Sequence, residues 1–192
     1  MKHTLTKKRG ILVVAAAMLI GVAVFAMHGC AGSRPNSDPT GSDFPTVKGR
    51  ALDGTERTLP QDVIGPPVVL IVGYVQGAQF DVDRWIVGLL QTKTPARILE
   101  VPTIDGLVPT WISSWIDEGM RGGIPSEDWP SVVTVYGDQA SRIVAITGDE
   151  RPRNARVLLL DGGGRVTWFH DRGFSPARLL ALDEAVRAAN SR

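Results

Sequence analysis

Thiols and imidazoles are scarce in this sequence. Its 192 residues include one cysteine and three histidines, and two of the histidines precede residue 30. A single cysteine excludes an intramolecular disulfide framework, a four-cysteine zinc site and a CxxC redox centre. So few histidines exclude a multi-histidine metal site, and the scattered carboxylates lack the spacing of an EF-hand. The sequence therefore predicts no metal site and no bound cofactor.

An excess of positive charge is also missing, because 21 basic residues stand against 20 acidic ones. Four of the basic residues precede residue 30, where no acid occurs: Lys2, Lys7, Lys8 and Arg9. The remainder is mildly acidic and has no basic stripe, so nucleic acid is excluded as a partner. The apolar content of 43% and the chain length predict one compact folded domain with short extensions.

The first thirty residues have the pattern of an export signal. A basic start is followed by an apolar run over residues 11–27, which is close to the lower limit for a membrane span. Lysines before the run keep that end on the cytoplasmic side, so the rest of the chain is exported. Cys30 follows Gly29 directly, which resembles a bacterial lipoprotein signal, although Met27 and His28 depart from the usual motif.

Lipidation of Cys30 and an uncleaved membrane anchor are the two alternatives for this segment. Both predict a tethered protein on the cell membrane or outer membrane, facing the periplasm or the cell exterior. Residues 1–29 form the signal peptide or anchor in this interpretation. Residues 30–43 contain no large apolar side chain and are expected to form a flexible linker, and residues 44–192 form the folded domain.

Short apolar runs predict the strands of the domain. Such runs occur at 67–72, 97–101, 131–136, 157–160 and 165–169. The last two flank a glycine-rich turn and predict an antiparallel hairpin. Pro102 is expected to end the second strand, and a short strand and turn are expected over 44–55. Residues 142–146 show no decisive pattern.

Three helices follow from apolar spacing and capping chemistry. Asp81 is expected to cap the first helix, Thr110 the second, and Ser175 with Pro176 the third. The order β-α-β-α-β-β-α is the thioredoxin-like layout. It predicts an α/β three-layer sandwich in which helices cover both faces of a central mixed sheet.

Several segments resemble redoxin-type proteins of the thioredoxin-like superfamily. Residues 44–59 are similar to their lead-in, residues 67–74 to their first core strand, and residues 158–168 to their closing hairpin. Redox-active members carry a CxxC at the start of the first helix. The loop at 76–81 stands there instead and contains no cysteine.

Within that superfamily, three features resemble the mitochondrial assembly-factor family for the membrane sector of ATP synthase. They are Trp85 in the first helix, residues 120–125 followed by Trp129, and residues 160–168 running into Gly173 and Phe174. The resemblance implies a binding or assembly factor whose clients are subunits of a membrane complex. It also implies partner contacts at Arg121 and Trp168.

The sequence differences from the redox-active members determine which chemistry is possible in this domain. Ala78 and Asp81 lie near the expected cysteine positions, and a peroxiredoxin would likewise need a thiolate at this helix start. The loop at 153–156, where redox members carry a cis-proline, contains no proline. Thiol–disulfide exchange and thiol peroxidase chemistry are therefore excluded for the domain.

Two groups of residues are candidates for partner contact. The degenerate active-site edge supplies Tyr74, Gln76, Gln79 and Asp81. Trp111 and Trp115 lie one helical turn apart and form an apolar face with their isoleucine neighbours. This face either packs into the core or receives a partner, and core packing is the simpler interpretation.

A rival hypothesis is an enzyme with non-thiol chemistry at the same edge, with Gln76, Asp81 or His170 as polar participants. His170 is the one histidine of the exported part, and imidazole suits a general base. No nucleophile motif accompanies it, because GxSxG and Ser-x-x-Lys are both absent. A partly exposed residue at a strand end is the simpler interpretation of His170.

Overall fold

The structure, a computed structural model, describes residues 33–191. The predicted signal segment 1–29 and Cys30 lie outside the described residues. Among residues 33–191, no helix combines the length and the apolar content that crossing a membrane requires.

In residues 33–191, seven strands form one mixed sheet in the order β2-β1-β5-β4-β3-β6-β7. The strands are β1 (Val47–Ala51), β2 (Glu56–Leu59), β3 (Val68–Gly73), β4 (Arg97–Ile104), β5 (Val133–Tyr136), β6 (Arg156–Leu160) and β7 (Val166–His170). β3, β4 and β5 run parallel, whereas β1, β2, β6 and β7 join through antiparallel pairs. The sheet is mixed, as the sequence predicts.

In the described part of the chain, four α-helices cover the two faces of the sheet: α1 (Gln79–Gln91), α2 (Thr110–Gly123), α3 (Gly137–Thr147) and α4 (Pro176–Asn190). α3 packs on one face, in a core that includes Leu70 and Val135. α1 and α4 pack on the other face, in a core that includes Ile71 and Trp85. Val135 faces the α3 side of the sheet, and Tyr136, the next residue of β5, therefore faces the α1 side. Tyr136 contacts α2, so α2 lies on the same side of the sheet as α1.

This arrangement confirms the three-layer sandwich, and the differences from the sequence analysis are local. α3 was not predicted. α1 begins at Gln79, directly after a 3₁₀ turn at Gln76–Ala78, so Asp81 lies within its first turn and is not the cap. β4 continues through Pro102 to Ile104 because its pairing changes there from β3 to β5.

Residues 34–43 pack against the domain, which corrects the expected flexible linker for that stretch. The backbone N–H of Asn36 donates to Glu150 Oε2 at 3.1 Å, and that of Ser37 donates to the Thr147 carbonyl at 3.1 Å. Gly41 and Ser42 exchange backbone hydrogen bonds with Val166 at the start of β7. Hydrogen bonds from polar groups hold this segment to the domain. The prediction of a flexible linker considered only large apolar side chains, and therefore missed this contact.

α1 and α4 approach each other closely at Gly88. A Cβ atom built on Gly88 would lie 2.7 Å from Leu179 Cδ2 and 3.2 Å from Phe174 Cε2. The absence of a side chain at this position therefore sets the distance between the two helices.

Candidate functional site

The loop that joins β3 to α1 is where the sequence resemblance places the cysteines of redox-active thioredoxin-like proteins. Four of the predicted site residues lie there, at one end of the sheet: Tyr74, Gln76, Gln79 and Asp81. Gln76 and Gln79 are exposed, and the Gln79 amide donates to Asp83 Oδ1 at 2.9 Å. Tyr74 and Asp81 are held inward, and their contacts define the chemistry of this edge.

Asp81 is buried, with 8% of its surface exposed, and both of its carboxylate oxygens are engaged. Oδ2 accepts from the backbone N–H of Ala155 at 2.9 Å, and Oδ1 accepts from the backbone N–H of Phe174 at 2.7 Å. The carboxylate thereby ties the first turn of α1 to two loops at the end of the sheet. Hydrogen bonds to a charged acceptor are among the stronger ones, so Asp81 has a structural task.

Tyr74 forms the second inward contact of this edge. Its hydroxyl is hydrogen-bonded to that of Thr147, and the Arg156 guanidinium lies 4.9 Å from the centre of its ring. Burial raises the pKa of Tyr74 to about 12, so the phenol stays protonated at physiological pH. Arg156 stabilises this aromatic face through a cation–π contact.

Arg156 is fully buried and is the residue of this edge that sequence reasoning missed. Its guanidinium donates to the carbonyls of Arg151 at 2.6 Å and Asn154 at 2.7 Å, and to Asn36 Oδ1 at 3.1 Å. Burial lowers its pKa from the ordinary arginine value. Arg156 therefore organises the loop before β6 and the N-terminal segment together.

His170 belongs to an aromatic cluster beside this edge. Its Nε2–H donates to the Gly173 carbonyl at 2.9 Å, and its ring lies 5.8 Å from that of Trp85. Trp168 meets Trp85 edge-on at 6.3 Å, and Phe174 does so at 5.4 Å. These contacts give His170 and Trp168 packing roles, in agreement with the simpler interpretation of His170.

Trp111 and Trp115 point into solvent. They are 71% and 74% exposed, and the one buried residue of α2 is Asp117. Core packing, the simpler expectation for these tryptophans, is therefore wrong. Arg121 anchors the end of the helix instead, because its Nε–H donates to the Leu52 carbonyl at 2.7 Å.

The exposed tryptophans lie on the same side of the sheet as most of the other exposed apolar side chains. Seven of the nine large apolar residues that are exposed in residues 33–191 lie on α1, on α2 or in the loops before them. We call these seven the apolar helix layer: Val75, Phe80, Val87, Leu90, Leu107, Trp111 and Trp115. Trp111 and Trp115, four residues apart on α2, are neighbours on the surface of that helix.

A polar groove of about 440 Å³ lies between α2 and the adjoining face of β1, β2 and β5. Lys48, Thr58, Thr134, Ser113 and Asp117 are among its lining residues. Tyr136, also in the lining, donates to Asp117 Oδ1 at 2.7 Å, and burial together with this contact raises the pKa of its phenol. No residue of the 74–81 loop lines the groove.

Glu100 is a second buried group that the sequence analysis did not single out. It lies on β4, on the α1 side of the sheet, and is only 9% exposed. Burial raises its pKa, the Asp83 carboxylate acts in the same direction, and the Gln79 amide opposes them. Residues 33–191 bring no three histidine, cysteine or carboxylate side chains together in a metal-binding group.

The predicted site residues thus fall into three places. Tyr74, Gln76, Gln79 and Asp81 share the end of the sheet, Trp168 lies in the aromatic cluster, and Trp111, Trp115 and Arg121 lie on α2. Arg156 and Glu100 were missed because a lone charged residue within an apolar strand has no sequence pattern of its own.

Comparison with known proteins supports the fold. No family model matches the sequence, and no curated protein matches it. A thiol:disulfide interchange protein from Bacteroides sp. is similar in structure, with a TM-score of 0.53, 17% identity, and coverage of 77% of this chain and 90% of that one.

Two further structures are also similar. A SCO1/SenC family lipoprotein from Bacillus anthracis has a TM-score of 0.52 and 11% identity, covering 77% of this chain and 95% of that one. BsSco, a member of the Sco family of cytochrome c oxidase assembly proteins, has a TM-score of 0.51 and 11% identity, covering 80% and 98%. The fold of this chain is thioredoxin-like.

Proposed function

We propose that this chain is an exported, membrane-tethered binding domain that assists the assembly of a membrane protein complex without thiol chemistry of its own. The observation that carries the proposal is the exposure of Trp111 and Trp115 on a helix whose one buried residue is Asp117. A monomer gains nothing from two exposed indoles, whereas an interface gains much, since tryptophan is enriched among the residues that dominate binding energies.

The state of the former active-site position supports a binding role over catalysis. Asp81 stands near the position of a redox cysteine, and backbone N–H groups occupy both of its oxygens. His170 is engaged with Gly173 and packed on Trp85. The rival enzyme hypothesis therefore loses two of its three polar participants to structural contacts, and Gln76 remains without a partner group that would activate it.

The charges around α2 indicate the chemistry of the partner. Residues 105–128 contain four exposed acidic side chains, Asp105, Glu118, Glu127 and Asp128, and one basic side chain, Arg121. An apolar surface with an acidic border fits an apolar segment with basic flanks, because opposite charges steer association and like charges reject wrong partners. We infer a client of that type among the subunits of a membrane complex. The sequence resemblance makes ATP synthase the first complex to examine.

Membrane tethering rests on the N-terminal sequence. A basic start, an apolar run and Cys30 directly after Gly29 support a lipid anchor. The similar SCO1/SenC protein of Bacillus anthracis is described as a lipoprotein. Incorporation of radiolabelled palmitate, abolished by Cys30→Ser, is the expected result, and unchanged labelling would refute lipidation.

Affinity purification of the tagged full chain from its host after mild crosslinking tests the binding role. We expect subunits of one membrane complex, and we expect their recovery to fall when Trp111 and Trp115 are replaced by serine. The matched control replaces Ile64 and Leu180, the two exposed apolar residues outside the apolar helix layer. Equal recovery from both double variants would refute the role of the tryptophans.

A further inference from the structure

Four exposed arginines surround the point where the N-terminal segment enters the domain. They are Arg34, Arg151, Arg153 and Arg172. No carboxylate lies within ion-pair distance of any of them in the described part of the chain. We call this group the arginine edge. It lies at the end of the sheet where β3 ends and β6 begins.

Hydrogen bonds between neighbouring segments bring these arginines to one place. Asp149 accepts from the backbone N–H of Arg34, and Asp171 accepts from the Asn36 amide at 2.7 Å. The Asn154 amide in turn donates to the Asp171 carbonyl at 3.1 Å. The segment 34–37, the loop before β6 and the residues after β7 therefore form one surface.

The carboxylates on this surface have other partners. Asp149 and Glu150 accept from backbone N–H groups of the N-terminal segment, and Asp171 accepts from the Asn36 side chain. These bonds direct the carboxylate oxygens toward the segment that they hold. The guanidinium groups of Arg151 and Arg153 remain available to solvent and to an external anion.

The charge of this surface contrasts with that of the rest of the domain. The residues 34–37, 147–156 and 170–174 contain four exposed arginines, the buried Arg156 and three acids. The other described residues contain 11 basic and 17 acidic side chains. The arginine edge is thus a positive region on a domain that is otherwise negative.

The length of the chain before Arg34 brings this region near the bilayer. Cys30 lies four residues before Arg34, and an extended chain spans at most about 3.6 Å per residue, or about 14 Å in all. A lipid on Cys30 therefore leaves the arginine edge within about one to two Debye lengths of the headgroups at physiological salt. The pinned segment 34–43 removes the slack that a flexible linker would have supplied.

We propose that the arginine edge docks on anionic lipid headgroups of the membrane that holds the anchor. The inference rests on the tether of the proposed function. A basic surface beside the anchor adds an electrostatic attraction to anionic lipids of the same bilayer. Docking also fixes the orientation of the domain. The starts of α1 and α2 then face the membrane, because both helices begin at this same end of the sheet.

Energy transfer to lipid dyes tests this orientation. The full-length chain, purified from membranes, is reconstituted into vesicles of equal parts phosphatidylcholine and phosphatidylglycerol that carry a headgroup dye. One donor fluorophore is placed at the arginine edge through Pro152→Cys, and another at the opposite end of the sheet through Gly163→Cys. We expect much stronger transfer from the edge position, and a loss of the difference in phosphatidylcholine alone or at high salt.

Charge removal supplies the matched comparison. Arg151→Gln, Arg153→Gln and Arg172→Gln together should weaken docking by roughly fivefold per arginine. The control variant removes three charges at the opposite end, through Lys93→Gln, Arg97→Gln and Arg165→Gln, and should leave the transfer unchanged. Circular dichroism of both variants verifies that the fold is retained.

The outcomes separate the docking from the tether. The docking is overturned, and the tether left intact, if the chain stays bound to vesicles but the two labels give equal transfer. Equal transfer in the two triple variants has the same meaning. The tether is overturned, and the docking with it, if the wild-type chain washes off the vesicles and its Cys30 thiol reacts with the donor fluorophore.

Discussion

The carboxylate of Asp81 accepts a hydrogen bond of 2.9 Å from the backbone N–H of Ala155, across 74 positions of sequence. This bond joins the first turn of α1 to the loop before β6. The sequence resemblance places the cysteine positions of redox-active thioredoxin-like proteins at this helix start. In this chain a buried carboxylate with two backbone hydrogen bonds lies there, and it holds the adjoining segments together.

Asp81→Asn should destabilise the domain by about 2–3 kcal/mol, because the amide retains one acceptor oxygen and places an NH₂ group against a backbone donor. Urea unfolding followed by circular dichroism measures the change. Asp83→Asn is the control, since Asp83 is exposed and accepts its side-chain hydrogen bond from Gln79, and its effect should stay within about 0.5 kcal/mol. Equal effects of the two substitutions would contradict the structural role of Asp81.

Glu100→Gln should make the domain more stable at neutral pH and above. Burial raises the pKa of Glu100 in the folded state, so the folded protein holds this proton more tightly than the unfolded chain does. Stability is therefore lost as the pH rises from the ordinary glutamate value of 4.5 through the raised value, and glutamine removes that loss.

The pH dependence of the urea midpoint measures this effect. The difference between Glu100→Gln and the wild type should be small below the ordinary glutamate pKa and should grow as the pH rises. Glu118→Gln removes the same charge from an exposed position of α2 and should show no such growth. A difference that is constant with pH would count against a buried ionisable Glu100.

Replacing Trp111 and Trp115 by phenylalanine should remove most of the fluorescence that acrylamide quenches readily. The remaining tryptophans are buried or half-buried, with Trp85 at 0% exposure. Stern–Volmer plots of the two proteins give the quenchable fractions. The same double substitution should change the free energy of unfolding by no more than about 0.5 kcal/mol, because neither side chain packs in the core. Unaltered quenching would place both indoles inside the fold.

Gly88→Ala should destabilise the domain by about 1–3 kcal/mol, since its methyl group would press on Leu179 where α1 meets α4. Gly119→Ala makes the same change within α2, where a Cβ atom meets nothing within 4 Å. That substitution should stabilise the domain by about 0.5–1 kcal/mol through helix propensity. Thermal unfolding of the two variants distinguishes the effect of packing from that of helix propensity. A change in stability of the same sign in both variants would contradict the close approach of α1 and α4.

The parts of the fold that local chemistry determines were predictable from the sequence. Ser175 and Pro176 begin α4 where the capping pattern places them, and the glycine-rich turn at 161–164 joins β6 to β7. α3 begins differently, at Gly137 with φ of 58° and with Tyr136 at the cap position, so its start carries no recognisable signal. The strands and the closing hairpin were sufficient to predict the fold class without it.

The candidate site was less predictable, because its contacts are tertiary. The position of Asp81 was found, but its role came from donors 74 and 93 positions away. The apolar spacing of α2 predicts an amphipathic helix, and spacing alone does not tell whether the apolar face meets a core or solvent. The structure answers that question for Trp111 and Trp115 through their exposure.

The attachment of residues 41–43 to β7 has a consequence for the behaviour of the protein in concentrated solution. Gly41 and Ser42 bond to the backbone groups of Val166 on the edge strand β7. On the other edge strand, β2, the backbone N–H of Thr58 donates to the Asp62 carboxylate. Unpaired rims of a sheet recruit strands from neighbouring molecules and start aggregation. A foreign strand cannot pair along the full length of either rim here, so the chain carries its own protection against strand-to-strand association.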